Sequence, residues 1–184
     1  FMSWISWFCS LPGNEGICQL PKDFIADPFN LSGLRQQIDH FEDAHRVLLG
    51  EERDKRIIKR IQDSVIELYS LLHQRFVLSE EGLEEMKKKI EKGVYGSCPR
   101  LLCEGCKVIP MGLSVDSRKS SVKVMCPRCR DVYVGYNDHM DGCFFGESFP
   151  MEFLIHNPEY GNVGGCEKYK LKLYGFELSK ESEI

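Results

Sequence analysis

The pattern of apolar and polar positions predicts that the first half of the chain is helical. Between residues 57 and 76, apolar side chains recur at steps of three and four, which puts them on one face of a single long helix. This face consists of Ile57, Ile61, Val65, Leu68, Leu72 and Phe76. A shorter helix is expected at 40–49, and most of 22–92 has a helical pattern.

A second strong helix is predicted to begin after Ser79. The Ser79 hydroxyl can accept a hydrogen bond from a free N–H of the first turn, and Glu80 and Glu81 face the positive end of the helix dipole. Gly93 is a typical terminating residue. The apolar face of this helix consists of Leu83, Met86 and Ile90.

After Gly93 the pattern becomes typical of a small sheet. Short apolar runs at 108–113, 121–125 and 131–134, separated by turn residues, predict three short strands. Residues 157–165 are rich in Gly, Asn and Pro and are expected to form a loop, and a terminal strand is expected at 170–178. The predicted fold class is therefore mostly α, with a helical N-terminal domain followed by a small three-stranded β module.

The apolar opening segment, 1–9, is expected to dock on the rest of the chain with Trp4 and Trp7 as core or interface anchors. It lacks the basic lead-in and the cleavage pattern of a secretory signal, and its non-methionine start indicates a trimmed or engineered terminus. No apolar run approaches the length that spans a bilayer, so no membrane association is expected.

Cysteine is unusually frequent, with nine residues in 184, and five of them fall within 98–129. An odd number without a secretory signal favours a reducing, intracellular compartment, where paired cysteines more often hold a metal than form disulfides. Cys126 and Cys129 are spaced so that both sulfurs of one tight turn point to a common centre. Either Cys98 or Cys106 can complete a second pair with Cys103, and the spacing alone slightly favours Cys106.

Four sulfurs saturate a tetrahedral zinc ion, so the expected role of the metal is structural. A catalytic zinc needs an open position and usually a histidine or carboxylate ligand. His139 and Asp141 are the candidates for such a ligand, but the tetrapeptide 139–142 is interpreted as a turn. A zinc hydrolase is therefore the weaker hypothesis.

The net charge of −4 argues against a surface that coats nucleic acid, because such surfaces are strongly basic. A zinc-ribbon nucleic-acid-binding protein is nevertheless the alternative function. Its best support is the set of basic residues Arg53, Lys55, Arg56, Lys59 and Arg60, with Lys87, Lys88 and Lys89 as a second cluster. Interleaved Glu and Asp dilute both clusters, which favours solvated helix surfaces.

Several longer stretches are distinctive beyond the cysteine spacing. They are SWISWFC at 3–9, HQRFVL at 73–78, GSCPR at 96–100, CPRCRDVY at 126–133, DGCFFG at 141–146 and LYGF at 173–176. In this order and spacing, the chain resembles the regulatory beta subunit of casein kinase II, a protein serine/threonine kinase, over about residues 3–178.

The resemblance implies a regulatory, non-catalytic subunit found in the nucleus and cytoplasm. In that family an all-helical body carries a zinc ribbon, two ribbons pack into a homodimer, and each C-terminal region engages a catalytic alpha subunit. The expected assembly is a heterotetramer of two catalytic and two regulatory chains, in which the regulatory chains stabilise the catalytic ones and modulate substrate choice. The sequence agrees with a non-enzymatic role, since it contains no Gly-rich phosphate loop, no His-Arg-Asp and no Asp-Phe-Gly.

The resemblance also assigns residues and regions. The implied domains are a helical domain at 1–93, a zinc-ribbon dimerisation domain at 94–165 and a kinase-docking segment at 166–184. One structural zinc per chain is expected on Cys98, Cys103, Cys126 and Cys129, and the expected contacts with the kinase are Tyr174, Phe176 and Leu178.

The terminal strand offers separate support for docking. Its apolar residues move from odd to even positions at Tyr174, so its apolar face switches sides unless a bulge at Gly175 restores it. The resemblance fails at 50–56, where family members carry a strongly acidic loop and this chain is short and mixed in sign. That departure leaves stimulation by polyamines and recruitment of basic substrates as open questions for this chain.

Overall fold

The computed structural model describes residues 2–161 and 164–177. Its helices are α1 (Trp4–Cys9), α2 (Lys22–Ala26), α3 (Phe41–Leu49), α4 (Lys55–Arg60), α5 (Gln62–Phe76), α6 (Glu80–Glu91), α7 (Phe149–His156) and α8 (Pro158–Gly161). Its strands are β1 (Ile109–Met111), β2 (Lys123–Met125), β3 (Val132–Val134), β4 (Lys172–Leu173) and β5 (Phe176–Glu177). The predicted fold class, mostly α with a small sheet, is confirmed.

Helix α5 is the centre of the helical body. Its side chains Val65, Leu68, Tyr69 and Leu72 are fully buried, and α3 packs along it. The long helix predicted from residue 57 is interrupted, because Ile61 adopts φ −109° and ψ 17°. At that residue the chain passes from α4, which has no fully buried side chain, into the core.

The predicted start of α6 is confirmed. The Ser79 hydroxyl accepts a hydrogen bond from the N–H of Gly82 at 3.1 Å, and Leu83, Met86 and Ile90 are buried. In the N-terminal segment Trp4 is buried and stacks on Phe8 with ring centroids 4.8 Å apart, so it belongs to the core.

The three strands predicted after Gly93 are present, each three residues long. They form an antiparallel sheet in the order β1-β2-β3. Ile109 in β1 is fully buried against the rest of the molecule, whereas β3 has a largely solvent-exposed surface. We call this sheet, together with its cysteine-bearing turns, the ribbon.

A buried histidine joins α5 to the segment that follows the sheet. His73 Nε2 accepts a hydrogen bond from the N–H of Cys18 at 2.9 Å, and Nδ1 donates to the carbonyl of Phe144 at 2.7 Å. Gln74 adds a bond from Nε2 to the carbonyl of Cys143 at 2.8 Å. The buried apolar residues of the body and of the ribbon accordingly belong to one continuous core.

Besides the interruption at Ile61, the expectation of a loop throughout 157–165 was wrong, one helix was not predicted, and the terminal strand is present as a hairpin. Part of the expected loop at 157–165 forms α8, which begins with Pro158, a residue suited to the first turn of a helix. The expected terminal strand is a hairpin, because Tyr174 (φ 51°) and Gly175 (φ 90°) both have the positive φ of a two-residue reverse turn. Helix α7 is the one that was not predicted, because it has no polar face from which a helical period could be recognised.

Within the described residues, no helix is both long enough and apolar enough to cross a bilayer.

Candidate metal centre

Two turns of the ribbon carry the cysteines of the predicted metal site. In the first turn, Cys103 lies in the short 3-10 helix Leu101–Cys103, and the N–H of Cys98 donates to the carbonyl of Cys106 at 2.8 Å. In the second turn, Cys126 follows β2, and its carbonyl accepts a bond from the N–H of Arg130 at 2.8 Å. Both turns open toward the same point.

The Sγ atoms of Cys98, Cys103, Cys126 and Cys129 all lie within 4.8 Å of one another. Those of Cys98 and Cys129 are 3.9 Å apart. Zn–S bonds of about 2.3 Å in a tetrahedral site separate the sulfurs by about 3.8 Å. Three of the thiols are buried and Cys129 is half-buried. Four cysteines are thus placed to bind a metal ion, and an all-sulfur donor set is compatible with zinc.

The structure brings Cys98 into this group and leaves Cys106 outside it. The half-buried Cys106 thiol contacts the carbonyl of Lys107, at 3.7 Å from Sγ, while its own carbonyl accepts the hydrogen bond from Cys98. Spacing alone had slightly favoured Cys106. Its backbone, rather than its sulfur, contributes to the first turn.

Burial and hydrogen bonds affect the thiols unequally. Burial raises the pKa of Cys126 to about 12. Burial is also the main cause of the raised pKa of Cys103, and the hydrogen bond to the nearby thiol of Cys166 is the second cause. Burial opposes ionisation of Cys129 as well, but the Tyr133 hydroxyl, at 3.3 Å, and the backbone of Asp131 lower the pKa of this thiol to about 7. Of these three thiols, Cys129 is the one that most readily binds a cation as a thiolate.

Two arginines lie beside the cysteines and offset the negative charge that four thiolates would leave around a divalent ion. A guanidinium nitrogen of Arg100 is 3.2 Å from Asp131 Oδ2, and one of Arg128 is 2.8 Å from Glu104 Oε2. The pKa of Arg100 is raised chiefly by the nearby Cys166 sulfur when that sulfur is a thiolate, and the pKa of Arg128 is raised chiefly by its hydrogen bond to Glu104.

The candidates for a catalytic zinc ligand lie elsewhere. His139 is exposed and is 3.5 Å from Asp138. Asp141 accepts a hydrogen bond from the N–H of Cys143 at 3.0 Å and begins a short 3-10 turn. In the described part of the chain, neither residue belongs to the four-cysteine group.

Comparison with known proteins identifies the family. The family model described as casein kinase II regulatory subunit matches residues 3–177 of this chain. The chain belongs to the casein kinase II regulatory subunit family. It is 35% identical to casein kinase II subunit beta of Dictyostelium discoideum, over 98% of this chain and 70% of that protein. It is 37% identical to casein kinase II subunit beta of Schizosaccharomyces pombe, over 97% and 80% of the two chains. A suppressor-of-stellate-like protein of Drosophila melanogaster is 38% identical, over 98% and 80%.

Members of the casein kinase II regulatory subunit family are non-catalytic, so the predictions of a regulatory role and of a chain that is not itself an enzyme are confirmed. Membership also implies partnership with a catalytic subunit.

The alternative function, that of a nucleic-acid-binding protein, gains no support. In its second basic cluster Lys87 and Lys88 form ion pairs with Glu159 at 2.9 Å and Glu85 at 2.7 Å.

In this member of the casein kinase II regulatory subunit family, the expected docking aromatics are at the C-terminal hairpin. Tyr174, in the turn, is 93% exposed, and Phe176, in β5, is 78% exposed. The third expected contact, Leu178, lies outside the described residues. Just before the hairpin, Lys170 forms an ion pair with Glu177 of β5, at 3.8 Å between Nζ and Oε1.

A fifth sulfur was missed by the sequence analysis. Cys166 Sγ lies 3.4 Å from Cys103 Sγ, although the two residues are 63 positions apart. The spacing of Cys166 matches no metal-binding pair, so no local pattern indicated that its sulfur lies beside this site.

Proposed function

We propose that this chain is the dimerising regulatory subunit of a casein kinase II holoenzyme, in which two copies hold two catalytic subunits. The observation that carries the proposal is the combination, in one family member, of a four-cysteine centre with exposed apolar side chains on the ribbon. The centre shapes the ribbon, and the apolar side chains need a partner surface.

The metal is a single structural zinc ion per chain, bound by Cys98, Cys103, Cys126 and Cys129. Four thiolates complete a tetrahedral sphere and leave no position for a substrate. The ion fixes the two turns relative to β2 and β3, which are too short to hold that geometry alone.

The homodimer forms through the outer surface of the ribbon. Leu101 is 82% exposed, and Val132 and Val134 on β3 are 47% and 71% exposed. The ion pair between Arg100 and Asp131 ties the segment of Leu101 to the start of β3. Exposed apolar side chains gathered in this way are typical of a protein–protein interface, and a second ribbon would bury them.

The hairpin at 172–177 is the docking element for the catalytic subunit. Tyrosine and phenylalanine supply large contact areas, and tyrosine is enriched among interface hot spots. Two hairpins on one dimer give a heterotetramer with two catalytic subunits. We propose three functional regions: a helical domain at 1–93, a dimerisation domain at 94–165 and a kinase-docking segment at 166–184. Leu178 is proposed as a further contact with the catalytic subunit. On family resemblance, we assign the complex to the nucleus and the cytoplasm.

Mixing the purified chain with a casein kinase II catalytic subunit tests this proposal. Light scattering coupled to size exclusion should find a dimer for the chain alone and a complex of two plus two for the mixture. A chain that elutes separately from the catalytic subunit, or a complex of one plus one, would contradict the proposal.

A further inference from the structure

A cysteine outside the four-sulfur group touches that group. Cys166 Sγ is 3.4 Å from Cys103 Sγ and also contacts the carbonyl of Glu167 at 3.5 Å. Cys166 is half-buried and lies between α8 and β4, in a stretch without regular secondary structure. It therefore combines access from solvent with contact to a metal-site sulfur.

The remaining cysteines have different surroundings. Cys18 contacts the sulfur of Met86 at 3.6 Å, and Cys143 donates to the hydroxyl of Ser70 at 3.2 Å. Cys9 is 3.5 Å from the hydroxyl of Tyr69. Among the described residues, Cys166 is thus the one thiol outside the group whose sulfur contacts a sulfur within it.

We propose that Cys166 and Cys103 form a disulfide when the protein meets hydrogen peroxide, and that this bond releases the zinc ion. The inference rests on the proposed zinc assignment. A disulfide has an S–S bond of about 2.05 Å, so the two sulfurs must approach by about 1.4 Å. A rotation of the Cys166 side chain, which regular secondary structure does not constrain, can supply that movement.

The chemistry has two steps. In the first, the Cys166 sulfur attacks one oxygen of peroxide, the O–O bond breaks, water leaves, and Cys166 becomes a sulfenic acid. In the second, the Cys103 sulfur attacks the Cys166 sulfur, the S–S bond forms, the S–O bond breaks, and the oxygen leaves as a second water after taking a proton. The two thiols lose two electrons in total, peroxide gains them, and zinc keeps its charge.

The disulfide removes Cys103 from the zinc ion and leaves three thiolates. Zinc affinity falls, because a disulfide sulfur carries no negative charge and thiolates are the binding form of cysteine. Since the metal shapes the ribbon, the predicted consequence of oxidation is loss of the dimer.

The experiment uses the full-length, zinc-loaded chain. Peroxide is added in the presence of a chromogenic zinc chelator, and the products are digested with trypsin for mass spectrometry. The variants are Cys166→Ser and, as a matched control on the same module, Cys106→Ser. The control also shows which cysteine forms the disulfide, because in Cys106→Ser the tryptic fragment 101–107 contains a single cysteine, Cys103.

The wild type and Cys106→Ser should release zinc at similar rates, with fragment 101–107 joined through Cys166 to fragment 131–168, and dithiothreitol should reverse the bond. Cys166→Ser should release zinc about tenfold more slowly, because the second sulfur is gone. Equal rates of zinc release from Cys166→Ser and the wild type, or a bond to Cys143 in place of Cys166, would overturn the inference.

The zinc content is measured separately, before peroxide is added. A zinc-free preparation contradicts the metal assignment and the release step. A zinc-loaded chain that forms no disulfide contradicts this inference alone.

Discussion

The helical body and the ribbon are stabilised in different ways. In the body α3 packs along α5, whose 15 residues bury a largely apolar face, and α6 buries Leu83, Met86 and Ile90. The ribbon has three strands of three residues each and exposes much of β3. The body thus contributes most of the apolar core, whereas the ribbon resembles small modules that need a metal to fold.

The helical body and the ribbon therefore have separate proposed functions. The body is the rigid support on which β1 and the segment around Phe144 are mounted, through buried contacts that include His73. The ribbon carries the exposed apolar side chains that, in the proposed dimer, would meet a second copy. If this division is right, one can remove the metal-dependent part of the molecule without unfolding the part that depends on packing.

The largest effect is expected from removing the metal. Replacing Cys126 and Cys129 together by serine should abolish zinc binding and dissolve the dimer, since structural zinc contributes about 10–16 kcal/mol in small modules. Helical circular dichroism should remain largely unchanged. Light scattering and metal analysis measure the outcome, with Cys106→Ser as the control that keeps both zinc and dimer. A double variant that stays dimeric would refute the proposed role of the ribbon.

The next effect concerns the hairpin at 172–177, whose two strands pair with each other. Tyr174→Ala with Phe176→Ala should weaken capture of the catalytic subunit by about 4 kcal/mol, or about a thousandfold, because each ring is expected to be a hot spot. The dimer should be unaffected. Calorimetric titration gives the affinity, and Tyr169→Ala removes a similarly exposed ring nearby as the matched control. Unchanged affinity in the double variant would reject the docking assignment.

A smaller effect is expected where the body contacts the segment after the sheet. Burial lowers the pKa of His73 to about 4 from its usual 6.5. The folded state therefore binds fewer protons than the unfolded state between these values, and stability falls as the pH drops from 6.5 to 4. The total loss is about 3 kcal/mol.

The His73→Gln variant isolates this contribution, because glutamine offers an acceptor but does not titrate. Denaturant unfolding at several pH values should give a shallower fall in the free energy of unfolding for the variant than for the wild type over this range. Parallel curves would show that protonation of His73 does not contribute to acid sensitivity.

The smallest effect concerns a helix end within the body. Ser79→Ala should lower the free energy of unfolding by about 1 kcal/mol, because the N–H of Gly82 loses its acceptor. Ser79→Thr keeps the hydroxyl and should cost less. Zinc content and dimerisation should be the same in both variants, and a change in either would show that the two regions are coupled.

The sequence was most informative where a local pattern decides the structure. The cap at Ser79 and the buried stripe from Val65 to Phe76 follow from residue type and spacing alone. The cysteine turns also followed from spacing, but the choice of Cys98 over Cys106 did not, because spacing slightly favoured Cys106 and only the resemblance implied Cys98.

Two kinds of feature were not predicted, namely unusual local backbone conformations and contacts between distant parts of the chain. The helical break at Ile61 arises where the chain enters the core, and the turn at Tyr174 needed a positive φ at a non-glycine residue. His73 joins Cys18 to Phe144, and Cys166 reaches Cys103, across separations that no local pattern encodes.

X-ray absorption at the zinc edge tests the central claim most directly. For the purified chain the account predicts one zinc ion per chain, with four sulfur neighbours at about 2.3 Å. A preparation without stoichiometric zinc, or a coordination sphere that contains nitrogen or oxygen, would contradict the four-cysteine centre from which the dimer and its regulatory role are argued.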